Sequence, residues 1–263
     1  MATGTTNLTT FINSNADLVK TMIDNSDYTK DLVIPDNITV ISNYAFYHKT
    51  GFKGRLILPN GLTSIGVTSS NRAFAGCTGF IGDLTIPDTV ISIPYGDGAF
   101  YNCSGFNGTL TIGRGLTSLA GSNVNLGYQF YGCNHFTRLV LPNTLTEISG
   151  HCFHNCTGLT DIDCYRTTPP SIQSNSFKNV TGRFYVPADN IYAYKTATNW
   201  TAKATKICGR KDYIIDDTFE DFAQGVYTTT TWYASKEDLV AGTNPIASGT
   251  TVGASGTYYC TLT

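Results

Sequence analysis

The amino-acid sequence predicts a mainly β chain wound as a solenoid with a parallel sheet, short helical caps and a small C-terminal β module. Three observations predict it. A Leu-x-Ile-Pro phrase recurs along the chain, an Ala-Phe-like step follows the copies, and cysteines fall in the same register. Self-similarity at a period of roughly 20–50 residues marks a solenoid. One repeat cannot bury its own apolar face and must stack on its neighbours.

The strand phrase stands at 32–35, 56–59, 84–87, 110–113 and 139–142, with weaker copies at 162–165 and 184–187. Alternation along a strand points Leu84 and Ile86 inward and Asp83 and Thr85 outward. The proline after the second core residue closes the strand, because it has no N–H to give a ladder. Val90, Ile93 and Phe100 then fill the interior as the chain turns back. The corresponding steps elsewhere are Ala45-Phe46, Ala73-Phe74, Gln129-Phe130, Cys152-Phe153 and Ser176-Phe177.

Cys77, Cys103, Cys133 and Cys156 each stand three residues after the Phe of their coil. Cys152 takes the Ala position, and Cys164 takes the inward strand position held elsewhere by Ile34, Ile86 and Leu141. All six read as small buried apolar residues rather than a metal or disulfide framework. Cys208 and Cys260 lie outside the array, so the redox compartment stays open. The residue before each strand reads Asp31, Arg55, Asp83, Thr109, Arg138, Asp161 and Arg183. In a parallel stack these become neighbours, a solubilising charge ladder of alternating sign.

Residues 1–29 form an N-terminal cap, with apolar residues at helical spacing over 16–24 and Asn13 or Asn15 at its start. A solenoid needs such a cover on its open end. Residues 30–208 form the array, closed by a short helix from Ala188 to about Thr198, with Tyr192, Tyr194 and Trp200 packing on the last coil. Residues 209–263 change character: acidic from Asp212 to Asp221, then aromatic, then Gly- and Ser-rich. They read as a small β module for docking or assembly.

Composition excludes several classes. A formal charge of −2 argues against nucleic acid as a partner. No run approaches the roughly 20 apolar residues that span a bilayer, so membrane insertion is not expected. Met1 to Asn7 has neither a basic segment nor an apolar run, and no export signal is read there.

The run from Gly76, Cys77, Thr78, Gly79 and Phe80 through Asp83, Leu84, Thr85, Ile86, Pro87, Asp88, Thr89 and Val90, followed by Ala99, Phe100 and Cys103, resembles the BspA-type leucine-rich repeats. The resemblance covers about residues 30–205. That family is common in surface proteins of gut and oral bacteria, in some protist surface proteins, and in phages of such bacteria. The resemblance implies a curved right-handed leucine-rich-repeat solenoid and a role in adhesion or recognition rather than catalysis. The last coil and helix, from Phe184 to Trp200, look like the usual end of such arrays.

No catalytic site is expected, and no cofactor. His151 and His154 share a coil with Cys152 and Cys156, but the register turns both cysteines inward, away from a zinc site. No nucleophile elbow, phosphate loop or metalloprotease helix occurs. The acidic run Asp212 to Asp221 lacks the ligand order and turn glycine of a calcium loop. Asn-x-Ser/Thr at Asn37, Asn102 and Asn155 follows from the abundance of Asn and Thr.

Three coils are lengthened between the second apolar residue and the Phe step, and insertions at one phase gather on one edge, often the binding edge. They hold Asn71, Arg72, Tyr95, Asp97, Asn123, Asn125 and Tyr128. Tyr and Asn at a rim suit contact with a protein or glycan on a host or cell surface. The expected function is non-enzymatic recognition, adhesion or structure at a virion or cell exterior. The leading reading is a phage tail or fibre component, with other virion proteins engaged through 209–263. The alternative is a bacterial cell-surface adhesin lacking its signal peptide.

Overall fold

The computed structural model describes residues 6–7, 31–68, 71–94, 96, 98–119, 127–210, 230–233, 245–246 and 259–262. The chain divides into two compact units, Met1–Gly209 and Arg210–Thr263.

The first unit is the solenoid. Its strands are short because a proline stands just beyond many of them, as Pro35, Pro59, Pro87 and Pro142 do. β1 (Thr6–Asn7) precedes β2 (Leu32–Val33), β3 (Ile38–Ile41), β4 (Leu56–Ile57), β5 (Ser64–Ile65), β6 (Leu84–Thr85) and β7 (Thr109–Thr111). Then come β8 (Ser118–Leu119), β9 (Arg138–Leu141), β10 (Glu147–Ile148), β11 (Asp161–Cys164), β12 (Ser171–Ile172), β13 (Arg183–Pro187) and β14 (Ile207–Arg210).

One face is a sheet ordered β14-β13-β11-β9-β7-β6, parallel from β13 to β6, with β2 and β4 paired on their own. Leu84 pairs with Leu110, Leu110 with Leu139, Leu139 with Ile162, and Ile162 with Phe184. Leu32 pairs with Leu56 in the same way. This is the column expected from the repeat. The second apolar pair of each coil does more than fill space, because it builds a second parallel face. There β1, β3 and β5 stack, and so do β8, β10 and β12, with Ile41 beside Ile65 and Leu119 beside Ile148 beside Ile172.

Between the faces run two aromatic columns. Phe46, Phe74, Phe100, Phe130, Phe153 and Phe177 stack with centroids 5.0–5.5 Å apart and near-parallel planes. Phe52, Phe80, Phe106 and Phe136 form a second column at 5.3–5.6 Å, which the sequence reading did not anticipate. Edge contacts such as Phe74 to Phe80, at 70°, tie the columns together. Such pairs add about 0.5–1.5 kcal/mol each beyond the area they bury.

The six cysteines of the array are buried, as expected. The charge ladder forms in part. Arg55 donates twice to Asp31 Oδ2, at 2.7 and 3.0 Å, and holds that carboxyl below its usual range. Arg138 Nε also donates to Asp163 Oδ2, at 2.6 Å. Asp163 is buried, and it pairs with Val140 and Tyr185 of the adjoining strands.

The end of the array is sealed by a helix over Ile191–Thr196 and the turns around it. Trp200 and Tyr194 are fully buried. Trp200 Nε1 donates to the Pro170 carbonyl and the Tyr194 hydroxyl to the Arg166 carbonyl, both at 2.8 Å. Tyr192 does not join them. It is 80% exposed, two residues from Tyr194 and so on the opposite face of this short helix. The helix expected over 16–24 lies outside the described residues.

In the second unit, β15 (Thr230–Tyr233) is the centre of an antiparallel sheet ordered β16-β15-β17, with β16 at Pro245–Ile246 and β17 at Tyr259–Leu262. Trp232 faces Ile246 on one side and Cys260 on the other in the register.

Candidate recognition groove

Every coil makes the same turn after its Phe. The residue two places on takes a left-handed backbone: His48, Gly76, Asn102, Gly132, Asn155 and Asn179 have φ between 54° and 75°. That conformation disfavours residues with a Cβ, and Gly and Asn enter it most readily. The abundance of Asn and Gly at this phase therefore has a backbone cause.

Backbone hydrogen bonds hold these turns in register. The His48 N–H donates to the Ala75 carbonyl, Gly76 to Tyr101, Asn102 to Tyr131, Gly132 to His154 and Asn155 to Lys178, at 2.7–3.0 Å. The residues one place after each Phe are thereby aligned along one edge: Tyr47, Ala75, Tyr101, Tyr131, His154 and Lys178. A second row, two places before each Phe, runs beside it: Tyr44, Arg72, Gly98, Tyr128, His151 and Asn175.

These rows form an aromatic surface. Tyr101 stacks on Tyr131 at 5.0 Å with planes 6° apart. Tyr128 stacks on His151 at 4.9 Å, and His151 on His154 at 5.3 Å. Asn155 donates to the Tyr131 hydroxyl at 3.0 Å, and Asn175 Nδ2 lies 3.0 Å from His151 Nε2. At the other end Arg72 sits over the Tyr47 ring, 5.8 Å from its centroid, and donates to its hydroxyl at 3.2 Å. The rows enclose an open groove of about 550 Å³, floored by Ala75 and Gly76 and walled by Tyr47, His48, Tyr101 and Tyr128. Burial, then the neighbouring His151 and Lys178, lower the His154 pKa, so its imidazole is neutral at pH 7.

Two residues expected at a binding rim, Arg72 and Tyr128, line this groove. Asn71 does not. Its side chain is fully buried, donating to the Ile65 carbonyl at 2.7 Å and accepting from the Ala73 N–H at 3.1 Å. It clamps the lengthened turn from within and presents nothing outward. Tyr95, Asp97, Asn123 and Asn125 lie outside the described residues. Tyr47, Tyr101 and Tyr131 escaped the sequence reading, which weighed His151 and His154 only as zinc ligands. For Tyr47, Tyr101, Tyr131 and His154 the signal was a ring recurring one place after the core Phe, a phase passed over in favour of the insertions.

The side chains lining the groove offer a ligand ring faces for stacking and polar atoms for hydrogen bonding. Among the described residues no group of three or more His, Cys, Asp or Glu is placed to hold a metal. Burial pushes the thiols of Cys77 and Cys133 up to about 12, and those of Cys103, Cys152 and Cys156 well above their ordinary value. A thiol so raised is no nucleophile at neutral pH.

A family model described as the BspA type leucine rich repeat region matches residues 18–124 and 126–185, in six copies. Among solved structures, the chain is similar to a leucine-rich repeat protein from Bacteroides ovatus. The two are 17% identical, the match covers 68% of this chain and 65% of that one, and the TM-score is 0.21. No curated protein matches the chain.

Proposed function

Because the chain belongs to the BspA-type leucine rich repeat family, we propose that it is a surface-associated recognition protein whose aromatic groove makes the contact. Proteins of this family are typically surface-associated, their repeats generally mediate binding rather than catalysis, and an adhesin-like role is compatible with both. Within that role, the observation carrying the groove is its aromatic rows. Tyr101, Tyr128, Tyr131, His151 and His154 stand only partly buried on one edge. Rigid amphipathic rings give large contact area at low entropic cost. Arg72 and Tyr128 belong to the proposed contact surface, and Tyr95, Asp97, Asn123 and Asn125 extend it by their place in the repeat. The partner is a protein or glycan on a cell surface. The unit over Arg210–Thr263 would serve docking or assembly. Neither the fold nor the comparisons carry anything toward a virion component.

The test is binding of fluorescently labelled chain to intestinal epithelial cells and to Bacteroides cells, read by flow cytometry. Wild type should bind one of them, Tyr101→Ala with Tyr131→Ala should lose that binding, and Tyr192→Ala on the exposed cap should keep it. Equal binding by the groove variant and wild type would place recognition elsewhere.

A further inference from the structure

The edge that holds the groove continues past its last ring into a cluster of lysines. The row one place after each core Phe runs Tyr101, Tyr131, His154 and then Lys178 on the next coil. The Asn155 N–H donates to the Lys178 carbonyl at 3.0 Å, so this coil keeps the register of the others. The Lys178 charge reaches back into the row, where it adds to burial and to His151 in lowering the His154 pKa. The cap supplies two more cations. Lys203 Nζ donates to the Phe177 carbonyl at 2.9 Å, next to Lys178 in the chain. Lys206 stands near enough to act on Lys203, whose pKa is lowered by burial first and by that second ammonium next. Among the described residues no carboxylate forms an ion pair with Lys178, Lys203 or Lys206. From residue 167 to residue 209 the chain carries Lys178, Arg183, Lys195, Lys203 and Lys206 against Asp189 alone, although its whole formal charge is −2. Holding like charges together with part of their water removed costs free energy, and an anion laid across them offsets it.

We infer that the partner is an anionic polysaccharide lying along this edge, with its sugar rings over Tyr101, Tyr131 and His154 and its acidic groups on Lys178, Lys203 and Lys206. This rests on the groove being the recognition surface and names what that surface takes. The charge follows from the lysines, and the spacing separates a sugar chain from an acidic peptide. Tyr101 and Tyr131, on adjacent coils, stand 5.0 Å apart. Bonds of about 1.5 Å put one sugar ring and its bridging oxygen at roughly 5 Å, so an extended polysaccharide advances one unit per coil. An extended peptide presents the same face only about every 7 Å and falls out of step within two coils. The polar groups along the row suit the same partner. The Tyr131 hydroxyl takes an N–H from Asn155 at 3.0 Å, and Asn179 donates to Asn155 at 2.6 Å. Sugar hydroxyls both give and accept, so they can join such a chain of amides and hydroxyls at either end.

The experiment is biolayer interferometry of the full chain on immobilised polymers. The probes are hyaluronate, which carries carboxylates, chondroitin sulfate, which adds sulfates, neutral dextran, and poly-L-glutamate as the acidic-peptide comparator. At least one of the two anionic polysaccharides should bind, less tightly as salt rises, and dextran should not. Lys178→Gln with Lys206→Gln should weaken that binding ~10-fold or more. Tyr101→Ala with Tyr131→Ala should weaken it as well. Lys49→Gln with Lys53→Gln removes the same charge from the first coils and should leave it unchanged. Thermal midpoints within a few degrees of wild type would separate lost binding from lost folding. Failure of both anionic polysaccharides to bind, or undiminished binding by either the Lys178/Lys206 or the Tyr101/Tyr131 variant, overturns the proposal. Binding of poly-L-glutamate alone, with the same dependence on the two lysines, overturns the sugar in favour of an acidic protein. Should both polysaccharides fail while cell binding still needs Tyr101 and Tyr131, this partner falls and the groove stands as a recognition site.

Discussion

The Cys103 thiol donates to the carbonyl of Phe74, one coil back, at 3.0 Å. Cys77 makes the same bond to Phe46, Cys133 to Phe100 and Cys156 to Phe130, at 2.9–3.1 Å. The cysteine column thus gives a second donor to a carbonyl that already accepts the backbone N–H three residues on, as Phe74 does from Cys77 at 3.0 Å, and it does so with a side chain small enough for the interior. Replacing Cys103 by Ala removes a buried sulfur and a hydrogen bond together. Each loss is about 1 kcal/mol, so a destabilisation of roughly 2 kcal/mol is expected. Urea unfolding of C103A measures it, and an unchanged midpoint would show that the bond contributes nothing.

The same burial predicts a labelling pattern. Thiolate, not thiol, reacts with iodoacetamide, and burial holds the array thiols protonated. Under native conditions peptide mapping should find Cys208, which is half-exposed, alkylated well ahead of Cys77, Cys103, Cys133, Cys152, Cys156 and Cys164. Rapid labelling of any array cysteine would contradict the packing.

Asn102 has φ 54°, and its side-chain oxygen overlies Gly132 on the next coil, whose φ is 72°. Asn102→Ala should lose about 1 kcal/mol, because alanine tolerates the left-handed region poorly, whereas Asn102→Gly should stay near wild type. Gly132→Ala should cost more than either, since an added Cβ would stand 2.1 Å from Asn102 Oδ1. Thermal unfolding of the three variants ranks them, and the reverse order would refute the turn geometry.

Legibility followed the length over which a pattern repeats. Leu56, Leu84, Leu110 and Leu139 could be aligned because each sits in a phrase closed by Pro or Gly, and strand alternation then fixed which side faced in. The second Phe column was written as plainly in Phe52, Phe80, Phe106 and Phe136. It sits at a loop phase, where apolar residues are not read as core. Asn71 was misplaced for a related reason. Its insertion is real, but a polar residue inside a longer turn is as useful for satisfying backbone groups as for meeting a ligand. The groove needed coordinates, since ring stacking across coils depends on register at the turn rather than along the strand.

His154 gives the fold a pH dependence whose sign follows from its lowered pKa. Above about pH 6.5 the imidazole is neutral in both folded and unfolded chains and contributes no slope. Below that, the unfolded chain binds the proton first, so stability falls as pH drops toward the lowered folded value, where the loss is complete. The stacked His151 and the nearby Lys178 resist the same proton. His154→Gln should therefore lose less stability than wild type between pH 7.5 and pH 5 in urea titrations. Parallel curves for the two proteins would exclude His154 as a source of the slope.

Gln129 occupies the position held in other coils by Ala73, Ala99, Cys152 and Ser176, and it is fully buried. Neither its amide oxygen nor its amide nitrogen has a hydrogen-bond partner among the described residues. Its neighbours in the column solve the same problem differently: the Ser176 hydroxyl donates to the Ser149 carbonyl at 2.8 Å, and Cys152 has no strong donor to satisfy. An unsatisfied buried amide costs about 1–3 kcal/mol, and removing it without changing its shape recovers part of that. Gln129→Met keeps the length of the side chain and drops both polar atoms, so it should raise the urea midpoint, by ~1 kcal/mol in stability. Gln129→Ala should gain less, because it trades the amide for a cavity. A fall in the midpoint of Gln129→Met would mean that the amide is satisfied in solution and that this coil depends on it.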